Sequence, residues 1–345
     1  MAHLRHEILN LLSSAPGEFI SGEKISQELA VTRAAVWKQI RLLKEEGFEI
    51  EGQTNKGYCL QQTSLFLQEW VLKRALTAAG LEYIIYLEDE LKSTNARARE
   101  LIQQEGFQRQ VVFARRQSSG RGRLQRQWEA PEGGLWMSVV LRPKLSLADV
   151  AKITLAASVA VADALEECFS LKVGIKWPND LLYGDLKLVG ILGEVAGEWN
   201  TVQALVLGIG VNANFPRQAL SPALKATTLY EILGKNVDLN GLAAAILSHL
   251  EKQVAVLERG AFQELRSLWL EKAVGVGKEV GIRQEAHVED IIAIPWKPVL
   301  ETEGTHDNYE RILRQFQPCE QFLAQLSHRH FRRVNDCFGA LSQSR

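Results

Sequence analysis

The sequence predicts an α+β chain of two or three domains, with a helical N-terminal module closed by a hairpin and a larger domain on a mostly antiparallel or mixed sheet. Three observations lead there. A length of 345 residues exceeds one ordinary domain and leaves room for several buried cores. Apolar residues recur at helical spacing near the N-terminus. Beyond residue 84, short strand-like runs cluster with few helices between them, which favours α+β over a doubly wound sheet.

Leu4, Ile8, Leu11 and Leu12 define a first helix over residues 4–14, stopped by Pro16-Gly17. Ser21 is placed to cap a second helix, Gly22 to Ala30, and a third runs from about Thr32 to Glu46, where Gly47 ends it. So short a connection between the last two is that of a helix-turn-helix. Val36, Ile40 and Leu43 form the inner stripe of the third helix, so Arg33, Trp37, Lys38 and Arg41 point outward. Phe48 to Gln53 and Tyr58 to Gln61 then read as strands joined through Asn55-Lys56-Gly57, a turn with a lysine at its tip. The first 62 residues therefore predict a winged helix-turn-helix. Three helices and a hairpin also fit a packing or protein-interaction module. Thr32, Arg33, Trp37, Lys38, Arg41 and Lys56 are the candidate DNA-contacting residues, because phosphate neutralisation by Lys and Arg supplies most non-specific affinity.

After a polar connector, Gln61 to Ser64, an amphipathic helix is expected from Leu65 to Gly80. Strands are expected at Ile84–Glu88, Gln110–Ala114, Leu135–Arg142, Val173–Trp177, Leu186–Val195 and Val202–Val211. One long helix, Leu147–Phe169, interrupts them, and helices return at Leu239–Glu258 and Phe262–Leu270. A net charge of -1 leaves any nucleic-acid affinity to a local patch. Cys59, Cys168, Cys319 and Cys337 form no CxxC pair, which argues against zinc and disulfides and for a reducing cytoplasm. No apolar run suggests a signal peptide or a membrane span, so a soluble, unprocessed chain is expected.

Gly120-Arg121-Gly122-Arg123, continuing to Arg126 and Trp128, combines a permissive backbone with forked cationic donors suited to phosphate or carboxylate. It matches neither a P-loop nor a dinucleotide fingerprint, and in isolation reads equally as a solvated or RNA-binding turn. Lys176-Trp177-Pro178-Asn179-Asp180 ends one strand and begins the next. Lys187 follows, just ahead of the apolar run LVGILGEV, where burial of its ammonium calls for an anion such as a ligand phosphate or carboxylate. A lysine at a strand start is also an ordinary surface residue.

GRGR, KWPND, the lysine soon after it and Gly208-Ile209-Gly210-Val211-Asn212, in this order and spacing, resemble the biotin protein ligases of the class that carries an N-terminal repressor domain. Ser93-Thr94-Asn95, which would otherwise pass for a helix cap, and Gln117 ahead of Gly120 fit the same pattern. The resemblance implies a mixed-sheet catalytic domain of class II synthetase-like, biotin ligase type over residues 65–274 and a small SH3-like barrel in 275–345. It implies that biotin meets Ser93, Thr94, Asn95, Gln117, Arg121, Gly122, Arg123 and Lys187. ATP would meet Trp128, Lys176, Asn179, Asp180 and Asn212, with Asn179 and Asp180 toward Mg2+ and with Lys187, Arg123 and Lys176 as the catalytic cations. The implied reaction forms biotinyl-5'-AMP and then biotinylates a lysine of a biotin carboxyl carrier protein. Such a displacement depends on positioning and charge, so no enzyme nucleophile is required. The resemblance further implies that the biotinyl-AMP complex is a homodimer that represses at operator DNA. It extends through Val276–Gln284, which begins like a barrel strand, and ends near Ala286. Glu301 to Arg345 reads helical and ends basic, with His328, Arg329, His330, Arg332 and Arg333 expected as a solvated face rather than a metal site.

Overall fold

The computed structural model describes residues 2–15, 17–62, 67–102, 109–123, 126–196, 204–276, 279–281 and 293–295. Helices α1 (Ala2–Ser14), α2 (Gly22–Glu28) and α3 (Arg33–Glu45) precede an antiparallel hairpin of β1 (Glu49–Gln53) and β2 (Gly57–Gln62). Local chemistry sets their limits. The Ser21 hydroxyl accepts from the Lys24 amide at 3.0 Å and Thr32 from the Ala35 amide at 3.2 Å, satisfying N–H groups that a helix start leaves unpaired. α2 stops short of the expected Ala30, because Ala30 adopts a left-handed φ of 52° and turns the chain into α3. At Gly57, with φ 108°, a β-carbon would lie 2.0 Å from the Ile20 carbonyl oxygen. Glycine there lets β2 close on Ile20, which exchanges two backbone hydrogen bonds with Tyr58 at 2.9 Å.

Ile8, Leu9, Leu12, Ile25, Val36, Ile40, Leu43 and Phe48 close a core beneath this hairpin, and Leu4 and Leu11 pack at its margin. The architecture is a winged helix-turn-helix. Next comes α4 (Glu69–Ala78), preceded by Gln68, whose side chain makes no cap hydrogen bond. It begins later than the expected Leu65, which lies outside the described residues. Val71 of α4 joins the winged-helix core while Leu72 and Leu76 join a second, larger one.

That larger core backs a mixed sheet. Its strands are β3 (Ile84–Leu91), β4 (Gln110–Arg121), β5 (Gln127–Ala130), β6 (Leu135–Leu141), β7 (Gly174–Lys176), β8 (Asp180–Tyr183), β9 (Leu186–Ala196) and β10 (Ala204–Val211). Their order is β3-β4-β6-β10-β9-β8-β7, with β5 attached to β4. Only β3 and β4 run parallel among the described strands; the other pairs are antiparallel. Alternate residues such as Val111, Phe113, Met137, Val139, Leu207, Ile209 and Val211 face a helical layer of α7 (Lys152–Phe169), α9 (Leu239–Glu258) and α10 (Phe262–Lys272). The opposite face receives α5 (Thr94–Ile102), whose Ala98 and Leu101 cover Val112, Val140 and Val206. α5 covers only part of that face.

Two elements depart from the sequence reading. The expected helix over Leu147–Phe169 is interrupted at Ala151, giving α6 (Leu147–Val150) and then α7; Ser146 caps the first piece through the Asp149 amide. No proline or glycine marks the break. β4 continues well past Ala114, where its pairing with β6 ends, and pairs Arg116 with Glu90 and Gly120 with Trp128 instead. Beyond Ala114 the strand reads Arg-Arg-Gln-Ser-Ser, so it carries no apolar alternation.

α10 reaches Lys272, two residues past the expected Leu270, and a further short helix, α8 (Leu229–Leu233), precedes α9. Glu279–Gly281 pairs antiparallel with Ala293–Pro295. The rest of the strand expected at Val276–Gln284 and the helical, basic tail from Glu301 lie outside the described residues. Among those described, Cys59 and Cys168 are free thiols, no helix is long and apolar enough to cross a membrane, and no three His, Cys, Asp or Glu side chains converge as metal ligands.

Candidate functional site

A cavity of about 450 Å3 opens on the sheet face that α5 leaves uncovered. Its floor follows from strand alternation. On β10, Ile209 and Val211 face the helical layer, so Gly208, Gly210 and Asn212 face the cavity. Gly190 of β9 stands directly opposite Gly210, and Ser138 of β6 opposite Gly208. Three glycines on adjoining strands thus remove the side chains that would otherwise fill the space.

The indole of Trp128 lies against that floor. A β-carbon on Gly190 would come within 2.7 Å of its ring, and one on Gly210 within 2.9 Å. Trp136 meets Trp128 edge-on at 6.1 Å between centroids, and its own N–H is satisfied by the Pro131 carbonyl at 2.8 Å. Among the described residues, Trp128 Nε1 is buried without a hydrogen-bond partner, and so is Asn212 Oδ1. Asp180 Oδ1 likewise makes no hydrogen bond but pairs with the Lys187 ammonium, so the indole N–H and the Asn212 carbonyl are the two buried cavity groups left with neither kind of partner among the described residues, a cost that a polar ligand would relieve. The Asn212 side-chain nitrogen is fixed by the Thr227 carbonyl at 3.0 Å.

At the opposite end, Ser93, Thr94 and Asn95 are buried where β3 gives way to α5. Gln117 Oε1 accepts the Thr94 amide at 2.8 Å, tying β4 to the first turn of α5. Ser138 donates to Asn95 Oδ1 at 2.6 Å and lies 2.7 Å from the Thr94 hydroxyl. Asn95 Nδ2 donates to Glu194 Oε2 at 2.7 Å, and Arg99 pairs with Glu194 at 3.4 Å. A β-carbon on Gly208 would fall 2.2 Å from Asn95 Oδ1. Asn95 lines the cavity as expected, but its amide is spent on Ser138 and Glu194, so it braces the segment rather than offering a free contact. Ser138, Glu194 and Gly190 were not anticipated as part of the site. Their only sequence signal is a polar or glycine residue inside an otherwise apolar strand.

The glycine-arginine motif is a hairpin rather than a free loop. Gly120 and Arg121 are the last residues of β4, paired with Trp128 and Gln127, and Gly122 N donates to Arg126 O at 2.8 Å. Arg121, Gly122, Arg123 and Arg126 all line the cavity. Arg123 reaches across to Asn179 Oδ1 at 3.4 Å, while Asn179 Nδ2 is anchored on the Ile191 carbonyl at 2.7 Å. Lys187 Nζ pairs with Asp180 Oδ1 at 2.6 Å and stands 5.1 Å from the Trp128 ring centroid. The anion required by this half-buried ammonium is thus supplied within the chain, by Asp180. Lys176 departs from expectation. It is exposed on β7, the edge strand, and does not line the cavity, although Asn179 and Asp180 from the same motif do. The motif turns at Trp177 and Pro178, joined by a cis peptide, and that turn carries Asn179 and Asp180 inward from the edge.

The Asp180 carboxylate and the Asn179 carbonyl are hard oxygen donors of the type Mg2+ takes together with phosphate and water, and here they face the Lys187 ammonium at 2.6 Å and the Arg123 guanidinium at 3.4 Å, so an ion at this place would share or replace those cations.

On the winged helix, Arg33, Trp37, Lys38 and Arg41 are exposed on α3, and Lys56 is exposed at the wing. Arg41 lies 5.4 Å from the Trp37 ring centroid, and Lys56 5.7 Å from that of Phe19. Thr32 is exposed, and its oxygen already caps α3.

The family model described as the Biotin/lipoate A/B protein ligase family matches residues 88–212, and a model described as an HTH domain matches residues 5–59. The bifunctional ligase/repressor BirA of Bacillus subtilis (strain 168) is 37% identical over 283 residues, 81% of this chain and 87% of its own length. A biotin–[acetyl-CoA-carboxylase] ligase of Paracoccus denitrificans is 33% identical over 174 residues, 49% of this chain and 72% of its own length. Among solved structures, the biotin protein ligase from Aquifex aeolicus in complex with biotin and ATP superposes with a TM-score of 0.50 at 30% identity, covering 58% of this chain and 83% of that one.

Proposed function

This chain belongs to the family of bifunctional biotin protein ligase/repressors, and from that premise we propose how its residues divide the work. It is an ATP-dependent biotin protein ligase joined to an N-terminal DNA-binding repressor module. Residues 1–62 form the DNA-binding domain, 65–274 the catalytic domain and 275–345 a C-terminal domain. Biotin lies between the buried Ser93-Thr94 segment and the Arg121–Arg123 hairpin, with Gln117 and Lys187 on its flanks. The nucleotide lies over the glycine floor beside Trp128, Asn179, Asp180 and Asn212.

A biotin carboxylate oxygen attacks the α-phosphorus of ATP, the bond to the bridging oxygen breaks and pyrophosphate leaves, giving biotinyl-5'-AMP. The ε-amine of an acceptor lysine, on a biotin carboxyl carrier protein, then attacks the acyl carbon; AMP departs and the nitrogen loses a proton. No protein nucleophile intervenes. Both steps separate or concentrate negative charge, so preorganised cations are the principal contribution the chain makes. Arg123 and Lys187 carry that role, with Arg121 and Arg126 around them. Mg2+, held by Asp180 and Asn179, would supply neutralisation of the phosphates. The half-buried charge of Lys187 is compensated by the Asp180 carboxylate in the ion pair and by ligand oxygen in the complex. Lys176, exposed outside the cavity, is left with a peripheral part.

The observation that supports this reading is the convergence, in one cavity, of Lys187 with Asp180, the Arg121 and Arg123 hairpin and a tryptophan held over paired glycines. Because the matched family model also names lipoate, the deciding experiment compares substrates. ATP–pyrophosphate exchange and label transfer to an acceptor domain should require biotin; exchange driven equally by lipoate or octanoate would replace the substrate assignment.

For regulation, biotinyl-AMP acts as corepressor. Liganded chains pair as homodimers and set two winged helices on one operator, where Thr32, Arg33, Trp37, Lys38, Arg41 and Lys56 meet the duplex. A lone module with a few cationic contacts binds weakly at physiological salt, and pairing raises affinity through effective concentration.

A further inference from the structure

Trp37 is the most exposed of the large apolar side chains among the described residues, at 56%, and the ligase chemistry does not use it. α3 buries Val36, Gln39, Ile40 and Leu43, so its outer face is fixed without Trp37. Arg33, Trp37 and Arg41, spaced four residues apart, line up along that face. The Arg41 guanidinium rests 5.4 Å from the indole centroid while its Nε lies 3.6 Å from the Glu45 carboxylate, so the ring carries a cation on its face.

Such a side chain is poorly matched to a phosphate, which Arg33, Lys38, Arg41 and Lys56 already serve by charge. It is well matched to the apolar group that projects from base edges into the major groove, the 5-methyl of thymine. Recognition helices meet base edges with residues near their N-terminal ends, and Trp37 sits on the second turn of α3. The deep, narrow groove of A-form RNA would not admit it. We propose that Trp37 is the sequence-reading residue of the recognition helix, its indole packing on the 5-methyl of one thymine in each half-site while the surrounding cations hold the backbone. This rests on the DNA-binding reading above and gives it a specificity.

The test uses the full chain with biotin and ATP present. Duplexes are selected from a random pool, and each thymine of the selected half-site is then replaced in turn by deoxyuridine, which removes only the methyl. The wild type should lose about fourfold in affinity at one thymine per half-site, the value of one buried methyl group. W37A should bind the thymine duplex several-fold more weakly, no longer distinguish thymine from deoxyuridine at that position, and keep its sensitivity elsewhere. Its slope of log affinity against log salt should be unchanged, since no cation is lost. W37F should keep part of the discrimination, and unchanged amide-exchange protection of α1 and α3 will report that the winged helix of both variants is folded. An unchanged thymine-to-deoxyuridine ratio in W37A overturns the assignment. Failure of the wild type to select any duplex overturns the DNA reading and the assignment with it.

Discussion

The winged helix and the sheet domain hold their functional side chains in opposite ways. In the first, a closed core of Ile8, Leu12, Ile40, Leu43 and Phe48 lies under an outward face of Arg33, Trp37, Lys38 and Arg41. In the second, side chains turn inward over a place where the sheet has been emptied by Gly190, Gly208 and Gly210. Surface substitutions in the first region should therefore change binding and leave folding intact. In the second, the Ser138–Asn95–Glu194 chain packs directly beneath the cavity wall that Asn95 lines, so a substitution there should disturb packing and site together.

The largest expected effect comes from Lys187. K187A removes a cation from the reacting centre and leaves the Asp180 carboxylate without its 2.6 Å partner. Loss of one such stabiliser costs on the order of 3 kcal/mol, about a hundredfold in rate. ATP–pyrophosphate exchange should fall by that factor, while weak DNA binding by the ligand-free chain should be untouched. Exchange within threefold of wild type would remove Lys187 from the reaction.

A smaller effect should come from the floor itself. In G208A the new β-carbon meets the Asn95 amide oxygen at 2.2 Å, and that amide, held between Ser138 and Glu194, has nowhere to turn. Overpacking of this kind costs about 1–3 kcal/mol. Biotin affinity, measured by calorimetry, should fall about tenfold or more, with Thr94 displaced through its tie to Ser138. If affinity is retained while only the melting temperature drops, Asn95 is structural alone, and the claim that site and packing coincide fails.

This contrast also explains what could be read from the sequence. The winged helix is written in local signals: Ser21 and Thr32 as caps, Gly47 and Gly57 as reversals, and a helical stripe through Val36, Ile40 and Leu43. Each acts within a few residues of itself, so elements and outward face were legible together. In the cavity, GRGR, KWPND and Lys187 could be seen, but their assembly depends on cross-strand register. Gly190 matters because Gly210 stands opposite it, and Ser138 because it stands opposite Gly208. No local pattern encodes that pairing. For the same reason the outer half of β4 carries no strand signal: its partners are β3 and β5, and it faces too little core to show an apolar alternation. Lys176 falls outside the cavity because contiguity in sequence is not contiguity in the site: the motif lines the cavity from the turn at Pro178 onward, through Pro178, Asn179 and Asp180, while Lys176 stays on β7.

The smallest expected effect probes the joint between the two regions. Trp70 of α4 stacks on His6 with centroids 4.0 Å apart and planes 16° apart, and meets Phe48 at 5.9 Å. One residue later Val71 enters the winged-helix core, while Leu72 belongs to the larger one. Gln68 spans both sides as well, its amide nitrogen donating to Asn240 at 2.8 Å and its side chain to the Glu46 carbonyl at 3.3 Å. α4 is thus a strut with one face in each core. W70A removes the aromatic part of the joint, worth about 0.5–1.5 kcal/mol beyond its buried area. Amide hydrogen exchange in α1 and α3 should then quicken about fivefold, with α7 and α9 unaffected and biotin-dependent pyrophosphate exchange within twofold of wild type. Separate responses would show that the outward-facing module opens independently of the hollowed sheet. Equal acceleration in both regions would mean that α4 fuses them into one cooperative unit, and the distinction drawn between surface and site would then hold for chemistry but not for stability.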